Sequence, residues 1–209
     1  MSDLFHPAAD ELWGRPAHAI HVQPHLTSEV QRALAQVQRQ AAALWPGALH
    51  LAPEPAIHVT IYPLVRVPGT FDRMAYWSEI EPASRALVAA HAGRNGPITL
   101  AFSAVRVMSA GIIAVAEDAS SLVEAIRAEI VETLPPPPGL EPLRYDLIHA
   151  TLARFASGDP VPRQAVRQVE AIPVSIAASV SRLKLTRETL FPCLVTEEIG
   201  SYPLAGGEP

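Results

Sequence analysis

Two short stretches hold the residue types best suited to acid–base chemistry. Residues 57–64 read IHVTIYPL and residues 148–155 read IHATLARF, so a histidine and a threonine two apart sit in an apolar run, twice. In an extended strand, side chains at i and i+2 share a face. His58 and Thr60 then project together, as do His149 and Thr151. Val59, Ile61, Ala150 and Leu152 point the other way, toward a core under helices. Two imidazoles facing one cleft can work as a pair. One, neutral, takes a proton from water or a hydroxyl; the other, protonated, gives one to a leaving alkoxide. An unperturbed pKa near 6.5 suits histidine to both tasks. Each threonine hydroxyl can donate to a non-bridging phosphate oxygen as charge builds there. The pattern reads as a centre for breaking a P–O bond without metal. The plain alternative is two half-buried strand histidines, each bonded to backbone.

Neighbouring residues extend this reading. Tyr62 continues the His58–Thr60 face and Tyr145 the His149 face; either could stack on a base or line the cleft. Arg154 lies three beyond Thr151, so strict alternation turns it away unless a bulge intervenes. Arg66 is a weaker phosphate candidate. His18, His21 and His25 lie close in sequence, but alternation sends the first two to opposite faces and no nearby acid or cysteine completes a ligand set. No metal or other cofactor is expected. His6, His50 and His91 have no partner visible in the sequence.

The elements that must position these residues follow from periodicity. A strand is predicted at 17–23. A helix follows, with Val30, Leu34, Val37, Ala41 and Leu44 on one face, Ser28 and Gln31 as a capping box, and Pro46-Gly47 as its stop. Residues 56–67 read as one strand and 78–93 as a helix closed by Gly93. Strands at 97–107 and 111–117 flank a turn near residues 109–111. Asp118 caps a helix that buries Leu122, Ile126 and Ile130. After a stiff proline loop come a strand at 144–155, a helix with proline in its first turn, and two closing strands, 174–188 and 191–204. Residues 1–16 form an irregular arm, 17–204 one domain, and 205–209 a tail.

Bulk properties narrow the function. The chain has 209 residues, 49% of them hydrophobic, enough for one core or two small lobes sharing one. A net charge of −5 gives no global field to recruit long nucleic acid, so any RNA contact is local. One cysteine, Cys193, excludes an intrachain disulfide and reads as a small buried residue. The amino terminus lacks the apolar core of a signal peptide, and no run is long enough to span a membrane. A cytoplasmic monomer is expected.

The motifs HVTI and HATL resemble the paired H-x-[ST]-apolar signature of the two-histidine (2H) phosphoesterases, which include the 2′–5′ RNA ligase-like proteins and the cyclic phosphodiesterases. In HATLARF an arginine follows, as it often does in the family's second motif. The resemblance spans roughly residues 17–204. It implies an α/β (α+β) fold of two pseudo-symmetric lobes, each a mainly antiparallel sheet flanked by helices, with a central cleft. It also implies metal-free hydrolysis of 2′,3′-cyclic phosphates on RNA ends or small nucleotides, or of 2′,5′ linkages. His58 and His149 would be the acid/base pair, and Thr60 and Thr151 the phosphate ligands, with Arg154 a further candidate. The rival is a module of the same fold that binds a nucleotide or RNA end without turnover.

Overall fold

The computed structural model describes residues 3–206; of the expected arm and tail, residues 1–2 and 207–209 lie outside this range. In chain order the elements are β1 (Leu4–Phe5), β2 (Pro16–Pro24), α1 (Ser28–Leu44), β3 (Leu49–Leu51), a 3₁₀ turn (Glu54–Ala56) and β4 (Tyr62–Val65). There follow α2 (Arg73–Arg94), β5 (Ile98–Met108), β6 (Gly111–Asp118), α3 (Leu122–Thr133), β7 (Ile148–Phe155) and β8 (Val161–Pro162). The chain ends with α4 (Arg163–Glu170), β9 (Ile176–Val180), β10 (Arg182–Leu190) and β11 (Val195–Pro203).

Two antiparallel sheets organise the molecule. One has four strands in the order β11-β10-β2-β4, the other five in the order β3-β7-β6-β5-β9. Helices α1 and α4 pack on the five-stranded sheet, and α2 packs on the four-stranded one. The expected α+β architecture of antiparallel sheets and flanking helices is therefore present. Alternation explains β5: Ile98, Leu100 and Phe102 are buried while Thr99, Ala101 and Ser103 are exposed. The apolar stripe of α1 buries Val30, Leu34, Val37 and Ala41 as expected, but Leu44 is exposed.

Several elements depart from expectation. The α1 cap is Thr27, whose hydroxyl accepts from Val30 N–H, rather than a Ser28–Gln31 box. Gln31 instead reaches across to the segment before the first motif. Helix α2 starts five residues early, because Asp72 accepts from the N–H groups of Met74 and Ala75. Helix α3 starts later than expected, at Leu122 with Ser121 at the cap position rather than Asp118, although the Asp118 carboxylate still accepts from Val123 N–H. The predicted strand 174–188 is two strands. The chain breaks at Ser181, with β9 against β5 in one sheet and β10 against β2 in the other. No glycine or proline marks that crossing. The arm is irregular apart from β1, which pairs with β8, and it is fastened to the body by Ala8 N–H to Ser109 O and Asp10 N–H to Phe155 O.

Candidate active site

The first motif does not lie in a regular ladder. Of the predicted strand 56–67, only Tyr62–Val65 pairs continuously. Pro55 and Pro63 lack an N–H, and a 3₁₀ turn precedes Ile57. Residues 57–61 run extended along the seam between the sheets. Ile61 N–H donates to Val22 O of the four-stranded sheet, while Val59 forms an isolated antiparallel bridge with Ala150 of β7. Side chains supply the missing ladder bonds. Gln31 Nε2 donates to Pro55 O and Ile57 O, and Arg127 Nε donates to Ile61 O.

The second motif rides on β7, which β6 pairs along the whole motif and β3 pairs only at residues 153–155. Along β6 the register jumps: Ile113 faces Thr151, but Ile112 faces Ala153, so Leu152 is the extra residue of a β-bulge. A bulge re-aims the side chains beyond it. Arg154 therefore returns to the face of Thr151, which strict alternation would have forbidden. It is held there from the arm, with Nε 3.8 Å from Asp10 Oδ2, and its guanidinium lies 5.6 Å from the Phe191 ring centroid. Gly111 permits the close passage of β7: a Cβ there would sit 2.2 Å from Ala153 O.

The Val59–Ala150 bridge joins the motifs. Its antiparallel sense brings His58 toward Thr151 and Thr60 toward His149, and both bridge residues are fully buried behind them. All four polar residues line one cavity of about 360 Å³, with Arg154, Arg66 and Tyr145 also on its walls. Tyr62 is a correction. The chain bends at Ile61, alternation is lost, and Tyr62 turns away from this cavity into a small proline-lined cleft. Its hydroxyl accepts from Leu143 N–H, and its ring meets Tyr145 edge-on at 6.2 Å. Tyr62 thus backs a cleft residue rather than being one. Arg66 is tied to Glu141 O.

Electrostatics differ between the two histidines. His58 Nδ1 donates to Ala56 O at 2.7 Å, since a carbonyl can only accept; Nε2 is then the lone-pair nitrogen of the neutral ring. Burial is the main cause that pushes its pKa down to about 4, against the raising effect of that bond. The His149 pKa is also lowered, first by burial and then by the positive charges of Arg154 and Arg127.

Two features were invisible in the sequence. Arg127 of α3 donates to Ile61 O and Leu147 O, both at 2.9 Å, and so ties the two motif segments to one guanidinium. Its charge also lies 5.2 Å from the Tyr145 ring centroid. The other feature is a polar group on the cavity wall. His21 Nε2 lies 2.7 Å from Glu188 Oε2, and Cys193 donates its N–H to Glu188 Oε1 at 3.1 Å. One donor atom from each of the three lies within 4.8 Å of the others. The expectation that no acid or cysteine stands beside His21 was wrong, because β10 and the turn after it deliver both from the far end of the chain. Burial in the Glu188 environment drives the Cys193 thiol pKa far up, so the sulfur stays protonated. His91 and His50 also gain partners: Glu129 at 2.8 Å and a stacked Trp13 ring at 4.9 Å.

No family model and no curated protein matches the sequence. Solved structures do match its fold. TT0787 of Thermus thermophilus is 21% identical, with a TM-score of 0.65 over 91% of this chain and 100% of that one. A phosphoesterase structure is 16% identical, at 0.59 over 90% and 99%. Escherichia coli LigT, crystallised with 3′-AMP, is 16% identical, at 0.55 over 90% and 99%. Among the described residues, no helix is long and apolar enough to cross a membrane. The resemblance expected from the two motifs is met at the level of architecture: nearly the whole chain has the fold of TT0787, of LigT and of the phosphoesterase structure.

Proposed function

We propose that the chain is a metal-independent phosphodiesterase acting on 2′,3′-cyclic phosphates of RNA ends or small nucleotides, or on 2′,5′ linkages. The observation that carries this reading is the Val59–Ala150 bridge, which turns both His-x-Thr pairs onto one cavity. The two sheets act as the two lobes of an approximately twofold-related pair, and the bridge sits at its centre. His58 is the general base. Its neutral ring, with Nδ1–H fixed on Ala56 O, offers Nε2 to a water. The water oxygen attacks phosphorus as its proton passes to His58. The bond from phosphorus to the leaving oxygen breaks, and that oxygen takes a proton from His149. The negative charge of a bound phosphate favours the protonated form of His149, against the lowering effect of burial and the two arginines. Thr60 and Thr151 donate to the non-bridging oxygens, and Arg154 neutralises the charge that develops there. Tyr145, Leu143 and Phe191 give the cavity an apolar wall for a base.

The test is single-turnover hydrolysis of a 2′,3′-cyclic mononucleotide and a 2′,5′-linked dinucleotide in the presence of EDTA. Turnover of either supports the reading. Binding without turnover would overturn it in favour of the binding module. Turnover abolished by EDTA and restored by a divalent ion would reject the metal-free mechanism and direct attention to His21, Glu188 and Cys193.

A further inference from the structure

One wall of the cleft carries a group of side chains to which the proposed hydrolysis gives no role. His21 stands on β2 and Glu188 on β10, the two inner strands of the four-stranded sheet. The register sets Thr186 opposite His21, so Glu188, two residues further, falls on the same face one diagonal step away. Cys193 comes from the turn after β10, and its own N–H fixes it on Glu188 Oε1. All three residues are at least nine-tenths buried, yet all three line the 360 Å³ cavity.

Their donor atoms are one nitrogen, one carboxylate oxygen and one sulfur, all within 4.8 Å of one another. Zinc lies about 2.0 Å from nitrogen and oxygen ligands and about 2.3 Å from sulfur, so a tetrahedral site sets oxygen and sulfur about 3.5 Å apart and nitrogen and oxygen about 3.3 Å. Cys193 Sγ already lies 3.7 Å from Glu188 Oε2. His21 Nε2 is nearer, 2.7 Å from Glu188 Oε2, because a shared proton holds the two acceptors together. A cation takes the place of that proton with a movement of about half an ångström.

Charge and support point the same way. With His21 neutral, the Glu188 carboxylate and a Cys193 thiolate match a divalent cation, and the thiol proton it displaces goes to solvent. Gln23 Nε2 backs the sulfur at 3.8 Å and is itself held by Thr186, whose hydroxyl donates to Gln23 Oε1. Cys193 keeps a side chain at φ 55°, a left-handed position that glycine would take more easily, which points to a use for its sulfur. The set is also selective: magnesium and calcium take oxygen ligands, whereas imidazole with thiolate suits zinc. Because the three donors line the cavity, the fourth position of the tetrahedron opens into it, where water or a phosphate oxygen completes the set.

We infer that His21, Glu188 and Cys193 form a binding site for one divalent transition-metal ion of the zinc class, with its open coordination position on the cleft. The site is independent of the proposed hydrolysis, so its test reads bound metal rather than turnover.

The experiment titrates cobalt(II) into the full chain, stripped with EDTA and desalted, and follows absorbance. The wild type should bind one equivalent, with the visible bands of tetrahedral cobalt and a thiolate-to-cobalt charge-transfer band in the near ultraviolet. Zinc should displace these bands, being held more tightly than cobalt by the same site, and excess magnesium should not. Cys193→Ser should lose the charge-transfer band. Both Cys193→Ser and Glu188→Gln should weaken zinc at least about tenfold in competition with a chromogenic chelator, since loss of a ligand's supporting partner alone costs about 10–100-fold. A wild type that takes up no cobalt, that binds it without the charge-transfer band, or whose zinc affinity survives Cys193→Ser would overturn the site. Should Glu188→Gln fail to fold by circular dichroism, Cys193→Ser, which exchanges sulfur for oxygen, decides.

Discussion

The same pair of residues is held in place twice by different means. His149 and Thr151 ride on a regular strand paired along its length with β6, while β3 holds its far end at residues 153–155. His58 and Thr60 lie on an irregular segment with one bridge, and side chains from other elements tie it down: Gln31 from α1 and Arg127 from α3. A strand interior provides position through its ladder but can be re-aimed only by a bulge, as happens at Leu152. A seam segment lets the first motif meet the second at the junction of the sheets, but its precision depends on a few long side chains. The first motif should therefore be fragile to single substitutions far from the chemistry, and the second robust to them.

The largest effect tests what the two regions have in common. His58→Ala and His149→Ala should each reduce single-turnover rates on the order of 10²–10⁴-fold, the usual contribution of a positioned acid or base. The double variant should be little worse than either single one, since groups acting as a unit are not additive. Full activity in either folded single variant would remove that histidine from the mechanism.

Next comes Arg127→Met, which cuts the tie between the regions. It leaves Ile61 O and Leu147 O without their donor, at about 1–3 kcal/mol for each carbonyl that stays buried. Displacing His58 by even 1 Å can lower the rate about 10²-fold. Denaturant unfolding and kcat measured together should both fall; a stable, fully active variant would show that the first motif is fixed without Arg127.

Thr60→Ala and Thr151→Ala should each lose about tenfold, the worth of one charge-assisted hydrogen bond. Equal losses are expected, because the hydroxyls serve the same phosphate from the two sides of the Val59–Ala150 bridge. A loss confined to one threonine would break the equivalence of the motifs.

Gly111→Ala is the counterpart of Arg127→Met on the regular side. Its Cβ would press against Ala153 O beside the bulge. Strain of this kind is typically about 1–3 kcal/mol. The ladder should absorb most of it, so stability should fall with only a few-fold change in rate. A loss of rate as large as in Arg127→Met would erase the contrast between the regions.

The mildest test is the pH profile of kcat/KM. The base must be neutral, so the rate falls as pH drops through the His58 pKa of about 4. The acid must be protonated, so the rate falls as pH rises through the His149 pKa, which lies below the usual 6.5. The maximum should lie between these limits, on the acid side of neutrality, with limbs that belong to the pair rather than to either ring. A profile flat from pH 4 to 8 would sink the paired-histidine reading.

How much of this was legible in advance depends on the range of the interaction involved. The faces of His58, Thr60, His149 and Thr151, and the burial of Val59 and Ala150 behind them, follow from a period of two over a few residues. Helix α1 and the β5–β6 hairpin follow from equally local patterns. Tyr62 was misread because alternation was carried through the bend at Ile61, where the extended segment gives way to β4.

Tertiary structure decided the rest. The bulge that brings Arg154 into the cleft depends on how β7 passes Gly111 of another strand. Glu188 and Cys193 reach His21 only because the chain changes sheets at Ser181, a break with no composition of its own. Arg127 looked like an ordinary residue on an amphipathic helix until its carbonyl partners, 66 and 20 positions away, came within reach. For His58, Thr60, His149 and Thr151, side-chain direction is a property of the local backbone, and the sequence by itself determined it. Which distant groups meet those side chains is set by sheet register and by contacts between layers, which only the folded chain defines.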